Sequence, residues 1–526
     1  MRAVPARAIL RAMTGHPKLA LLTLGALVVT GCSAGGHGGA AGGSGGGGSP
    51  GGAGGTPAGG GMDGGGAAGF VGTDGGDAGG GNGPTRVAIC GTAMLTGPSS
   101  APAGAVTVAP GASTIQNAIA QHPAGTTYYL STGTFFVAGS INPKDNDTFI
   151  GAPGAIIDGS GTQPVAFGFN DHAGGVTIKF LTIQHFAGPQ NNGIVNQGQG
   201  AGWTLQYNTI GDNPDTGGGA AGVYLGDDNR VSYNCFTHNA QMGIGAVNAT
   251  GFVVDHNEVS LNAQGYEAAH NCGCSGGMKF FQSTKGIVTD NWIHDNDSVG
   301  LWIDTNNSFF LVTGNVIEKN AAEGFFYEIS YNAVVENNLF RLNNLVKNAS
   351  NGGFPNGGVY ISESGGFDTG APVLLAGVDV NGVLRIASNT FDDNANGVVL
   401  WQSSTRCCGG SGGCDPSCGT VPLYAEPDSS GNRRWKTQNV LVQNNTFTFD
   451  AAAGCASPPA TYCGVSAMFS NNAAIDQSVA AQNNVFKDND YSGAWKFLSP
   501  DQSSALLSPS AWQAAPFNQD VGSTFH

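Results

Sequence analysis

An Asn followed two residues later by an apolar side chain recurs along the chain, at Asn208/Ile210, Asn234/Phe236, Asn257/Val259, Asn291/Ile293, Asn315/Ile317, Asn338/Phe340, Asn389/Phe391, Asn445/Phe447 and Asn484/Phe486. Where no insertion intervenes, the copies fall 23 to 26 residues apart. A self-similar period of this size marks a solenoid, because one repeat cannot bury its own apolar face and a core forms only when neighbours stack.

Two further columns share the register. Three residues before each Asn stand Leu205, Val231, Val254, Val288, Val312, Val335, Ile386 and Val442, nearly all β-branched, as a buried strand prefers. A second run opens with Gly and alternates: Gly222-Val223-Tyr224-Leu225, Gly243-Ile244-Gly245-Ala246, Gly277-Met278-Lys279-Phe280, Gly300-Leu301-Trp302-Ile303, Gly324-Phe325-Phe326-Tyr327, Gly358-Val359-Tyr360-Ile361 and Gly397-Val398-Val399-Leu400. Each coil therefore carries at least two strands joined by Asn and Gly turns, with equivalent strands stacked ~4.8 Å apart.

The Asn-x-apolar turn and the Gly-apolar strand starts resemble those of the right-handed parallel β-helix proteins of the pectate-lyase-like superfamily, over roughly residues 105 to 495. The resemblance implies an all-β fold, a right-handed parallel β-helix solenoid with an N-terminal capping helix. Ser113-Thr114 followed by Ile115, Ala118 and Ile119 reads as that helix, capped by Ser113, and residues 126 to 137 read as strand.

The start of the chain has another character. Arg2, Arg7, Arg11 and Lys18 precede an apolar stretch from Leu19 to Val29, which closes on Val29-Thr30-Gly31-Cys32. This reads as a signal peptide and resembles the bacterial lipoprotein cleavage signal, leaving Cys32 as the lipidated N-terminus. The apolar stretch is short for a span of ~20 residues, so the expected membrane contact is a lipid anchor only. Residues 33 to 83 hold 28 glycines, too little apolar surface for a core, and read as a disordered tether reaching roughly 40 Å. The expected division is a signal at 1–31, lipidated Cys and linker at 32–84, the coil at 85–495 and a C-terminal tail or cap at 496–526. The expected location is outside the cytoplasm, anchored to the cell envelope or secreted. Ten cysteines remain besides Cys32, an even number suited to disulfides in an oxidising compartment. A zinc site is the competing reading for Cys407, Cys408, Cys414 and Cys418.

A formal net charge of −16 argues against nucleic acid or an anionic lipid face as partner. Strand alternation then points to where chemistry sits. Counting from each strand Gly, the first and third positions are apolar and face inward. The second and fourth face outward and build one surface carrying Tyr224, Lys279, Trp302, Asp304, Phe326, Glu328, Tyr360 and Trp401. Outward aromatics on a soluble domain suggest stacking on sugar rings, which makes Tyr224, Trp302, Phe326, Tyr360 and Trp401 candidate substrate contacts on a monomer that handles polysaccharide. The competing expectation is that the insertions 342–355 and 406–439 fold over and bury them.

Asp304 and Glu328 fall in one column on adjacent coils, so a shared proton, a nearby base or a divalent cation such as Ca²⁺ is expected between them. Lys279 lies one coil earlier, and His294, Glu267 and His270 are candidates to overhang the same face. Lys279, Asp304, Glu328 and His294 are the candidate catalytic residues, with Asp304 and Glu328 the candidate metal ligands. Such a cluster suits β-elimination of a uronate polymer, glycoside hydrolysis or epimerisation, and the resemblance raises elimination, because many such coils are uronate lyases. The chain nevertheless lacks the Arg-x-Pro-x-x-Arg segment of pectate lyases, the Asn-Thr-Asp and Gly-His-Gly pair of polygalacturonases and the Asp-Pro-His-Glu of mannuronan epimerases. A noncatalytic binding or adhesion module is therefore the alternative to an enzyme.

Overall fold

The aliphatic column before each Asn forms one side of a stacked coil. The computed structural model describes residues 84–526 apart from 169–171, 217, 271, 347–353, 404–405, 410–423, 425–426, 428–429, 455–461, 472–478 and 499–505. Its strands run through three long sheets of 13, 13 and 11 strands, with successive coils adding one strand to each. In a representative coil the chain passes through Ile287–Thr289 in the first sheet, Trp292–His294 in the second and Val299–Asp304 in the third. The pairing between coils is parallel, as with Val288↔Val312, Ile293↔Ile317 and Leu301↔Phe325.

The column from Leu205 to Val442 is paired rung on rung without a slip. Its members are fully buried in one continuous core with the inward residues of the other two sheets, Met278, Leu301 and Phe325 among them. The Gly-led strands hold the expected register as well, Val223↔Ile244↔Met278↔Leu301↔Phe325↔Val359↔Val398.

Each turn Asn closes a ladder. Asn291 Nδ2 donates to Val254 O at 3.0 Å and to Asn315 Oδ1 at 3.0 Å, and Asn315 Nδ2 donates in turn to Asn338 Oδ1 at 2.9 Å. The side chain satisfies the turn's buried backbone while linking coil to coil, which is why the position admits so little variation. A second ladder stands five residues further on, through Asn213, Asn239, Asn262, Asn296, Asn320, Asn343 and Asn394, at the turn into the third sheet. Its period is written in the sequence as plainly as the first.

Three expectations change. The ladder passes from Asn445 to Asn489 rather than Asn484, and Phe486 stacks under Val442 in the first sheet while Tyr491 continues the Phe447 column. Asn484 heads a strand of the first sheet, so its Asn-x-apolar spacing is a coincidence of local sequence. The helix Thr114–Gln121 is present with Ile115 and Ile119 buried, but Ser113 sits in the left-handed region and its side chain makes no cap. Parallel pairing also continues past residue 495, where Lys496–Leu498 and Thr524–Phe525 extend the third and second sheets.

Cys90 is bonded to Cys235 and Cys272 to Cys274. Cys407, Cys408 and Cys463 are also disulfide-bonded, which removes two of the four thiols a zinc site there requires. Cys32, Cys414, Cys418 and Cys455 lie outside the described residues.

Candidate functional site

The outer face of the third sheet gathers most of the candidate residues, because parallel pairing in register stacks equivalent positions. Lys279, Trp302, Phe326 and Tyr360 form one outward column, and Phe281, Asp304, Glu328, Ser362 and Trp401 form the next. Asp304 and Glu328 are thus neighbours on adjacent rungs, and Lys279 lies one rung before Trp302.

The charges are arranged in pairs. Lys279 Nζ is 3.0 Å from Asp304 Oδ2 and 3.2 Å above the centroid of the Trp302 ring. Thr305 Oγ1 donates to the other Asp304 oxygen at 2.7 Å. Glu328 accepts from Trp302 Nε1 at 3.1 Å on one oxygen and from Arg406 on the other. Arg406 Nη1 is also 3.3 Å from Glu363 Oε2, and Glu363 is fully buried, accepting from Ser362 Oγ at 2.6 Å. Neither Arg406 nor Glu363 was predicted from sequence. Arg406 stands in an insertion that carries no repeat register, and Glu363 falls one residue beyond the outward column.

Burial pushes the Glu328 carboxyl up to about 7, with the Asp304 charge adding to the rise and Arg406 and Lys279 opposing it. Burial works against the Arg406 charge too, but Glu328 and Glu363 outweigh it and hold the guanidinium above its usual range. The folded state therefore keeps a proton on Glu328 through a range where the unfolded chain, with an ordinary Glu near ~4.3, has released it. Stability from the protonated form is complete below that lower value and is lost as pH rises through about 7. The melting temperature of the wild-type chain is expected to fall between about pH 4.5 and about pH 7 relative to Glu328→Gln. Parallel melting profiles for the two proteins would show that Glu328 titrates as an ordinary carboxyl.

The aromatics are in the expected column but not open to solvent. Trp302 is 7% exposed, Tyr360 5% and Tyr224 6%, with Phe326 and Trp401 half-buried. Trp302 stacks on Phe326 at 5.0 Å and Phe326 on Tyr360 at 4.7 Å. Phe354, from the first of the two long insertions, stands edge-on over Tyr360 and Trp401. Trp435, from the second, bonds Asn306 at 3.2 Å. Phe354 thus packs on the Tyr360–Trp401 end of the column, and Trp302, Phe326 and Tyr360 stack on one another. Tyr224 belongs to a separate small cluster with Ala221 and Met242 and does not join the site.

His294 is not at the site. It lies in a strand of the second sheet, where its ring stacks on Trp292 at 3.8 Å between Asp295 Oδ2, 2.7 Å from Nδ1, and Glu258 Oε1, 3.4 Å from Nε2. Burial opposes its charge, but those two carboxylates hold its pKa above the usual value. Glu267 and His270 lie in a short helix, where Glu267 accepts from Ser275 at 3.1 Å and His270 pairs with Asp215 at 2.5 Å.

Asp304 and Glu328, the candidate Ca²⁺ ligands, each face a basic nitrogen, and no group of three or more His, Cys, Asp or Glu that could hold a metal occurs among the described residues.

Residues 174–370 match the family model described as a right handed beta helix region. Among solved structures the chain is similar to the Dettilon tailspike protein, at 15% identity and TM-score 0.33, over 59% of this chain and 63% of the tailspike chain, less than two thirds of its length. It is also similar to an alginate lyase in complex with a trisaccharide, at 12% identity and TM-score 0.43, over 82% of this chain and 97% of the lyase. XylC in complex with xylose aligns at 10% identity and TM-score 0.49, over 80% and 86%. No curated protein matches the sequence. The fold is a right-handed parallel β-helix.

Proposed function

We propose that the chain acts on a polysaccharide and that Asp304 and Glu328 are its reaction centre, cleaving a glycosidic bond by hydrolysis. The observation that carries this reading is the pair itself: two carboxylates in one outward column on adjacent rungs, Asp304 ion-paired to Lys279 and Glu328 held near neutrality by burial. Environments that separate two carboxyls in this way divide the work of acid and base between them. Glu328, protonated near pH 7, gives its proton to the leaving oxygen as the glycosidic bond breaks and Asp304 bonds the anomeric carbon; water then replaces Asp304 on that carbon and returns a proton to Glu328. The rung spacing of ~4.8 Å is close to the ~5–5.5 Å carboxyl separation of enzymes that retain anomeric configuration.

Lys279 and Arg406 beside the pair favour a second reading, β-elimination of a uronate, in which they neutralise the sugar carboxylate and Glu328 takes the α-proton. Both cations are already paired with carboxylates of the chain, so hydrolysis stands first. Purified chain is to be incubated with a panel of neutral and acidic polysaccharides, with new reducing ends and the ultraviolet absorbance of unsaturated product read in parallel. Reducing ends alone support hydrolysis, unsaturated product supports elimination, and binding with no turnover of any substrate leaves a noncatalytic module.

Export and lipidation at Cys32 complete the proposal, supported by the basic and apolar N-terminal segment and the Gly-Cys junction. Cys32→Ser is expected to lose a metabolically incorporated lipid label. A substituted protein that still partitions into detergent would mean an uncleaved anchor.

A further inference from the structure

The segment just after the Gly-rich stretch does not enter the coil at its first rung. Pro84 lines a groove with Asp290, Gly314, Asn337 and Ser388, all turn residues between the first and second sheets. That corner is the one corner of the three-sided coil that the third sheet does not touch. From there the chain crosses the outer face of the second sheet. Arg86 Nε is 2.9 Å from Glu318 Oε1, and its guanidinium lies 5.9 Å from the Trp292 ring. The backbone N–H groups of Ile89 and Cys90 donate to Glu258 Oε2 at 2.7 and 2.9 Å. Cys90 is then bonded to Cys235, in the middle of the second sheet, before the chain runs through an exposed stretch, 99–104, to the first coil strand at Val106–Val108.

Ile89 is fully buried and Glu258 is 6% exposed, so this is a built seat rather than a chain lying on a surface. Glu258 is suited to it. Burial raises its carboxyl pKa, but His294 and the two N–H groups of the strap outweigh burial and hold it below the usual range. A buried carboxylate accepting two backbone N–H bonds is a strong, charge-assisted anchor.

We infer that residues 84–90 are a clasp that attaches everything N-terminal to Pro84 to the middle of the coil, at the corner away from the candidate site. The physical consequence concerns load. A solenoid is held by nearest-neighbour contacts and peels from its ends. A pull applied through the first strand would open the coil rung by rung, whereas a pull through Cys90–Cys235 acts on an interior rung paired on both sides. The clasp thus spares the terminal rung, and residues 84–90 themselves lie on the second sheet rather than on the Lys279–Asp304–Glu328 face. The inference stands on the strap contacts alone and does not require the proposed activity.

The test uses the full chain with a specific protease site placed in the exposed stretch 99–104. After complete cleavage, non-reducing electrophoresis is expected to show one species and reducing electrophoresis two, with the thermal midpoint of the oxidised, cut protein within a few degrees of the uncut one. Hydrogen exchange at the Ile89 and Cys90 amides is expected to be slow in the oxidised protein and at least tenfold faster in Glu258→Gln. The same cut in Cys90→Ser/Cys235→Ser should free the N-terminal fragment, retarded by its noncovalent contacts alone, among them those with Glu258, Glu318 and Tyr129. Separation of the two pieces without reductant, or strap amides that exchange as freely as an unfolded peptide with the disulfide intact, would overturn the clasp.

Discussion

Replacing Glu328 by Gln is expected to lower polysaccharide turnover by two orders of magnitude or more while the fold stays intact. A positioned general acid contributes about 10²–10⁴-fold, and Gln keeps the shape but has no proton to give. The core lies on the other side of the strand, where Tyr327 and Phe325 point inward, so the substitution leaves the stacked column untouched. Arg406 retains Glu363 as partner, and the repulsion between neighbouring carboxylates is relieved, so the melting temperature near neutral pH is expected to hold or rise, as sites tuned for function often do when dismantled. Asp304→Asn should show the same loss of rate, with Lys279 kept over the Trp302 ring. Initial rates on the responsive polysaccharide and thermal melts of the same preparations check both arms. Unchanged turnover with a lowered melting temperature would make the cluster a structural ion-pair network.

Replacing Val312 by Asp is expected to destabilise the coil by about 3–5 kcal/mol. Val312 is completely buried, with Val288 on the rung before and Val335 on the rung after, and the column offers no cation and no donor to an introduced carboxylate. In a one-dimensional stack the damage falls on both neighbouring interfaces, so loss of cooperativity is expected along with a lower midpoint. Denaturant unfolding followed by far-ultraviolet circular dichroism measures it, with Thr313→Asp, at the adjacent outward and partly exposed position, as the comparison. Equal stabilities for the two variants would mean that the strand faces are assigned the wrong way round.

The sequence by itself determined the coil and the contents of its columns. A repeat of 23 to 26 residues, aliphatic side chains three before each turn Asn and alternation after each Gly set strand, turn and facing together, because a one-residue slip would turn every buried side chain to solvent. Asp304 and Glu328 could be placed on adjacent rungs for the same reason. The register failed where two signals competed: Asn484 and Asn489 both precede an apolar residue by two, and only the pairing of Asn445 chooses Asn489. The tertiary structure alone decided what lies over the columns. Arg406, Phe354 and Trp435 come from insertions with no period, and their contacts with Glu328, Tyr360 and Asn306 span 78, 6 and 129 positions of the chain. It also decided that His294 belongs to another sheet, seated with the N-terminal strap and Glu258. Periodic positions are fixed by the neighbouring rung, which repeats the same local sequence and can be read from it. Insertions and straps are fixed by surfaces that exist only once the coil has formed, and no local pattern encodes them.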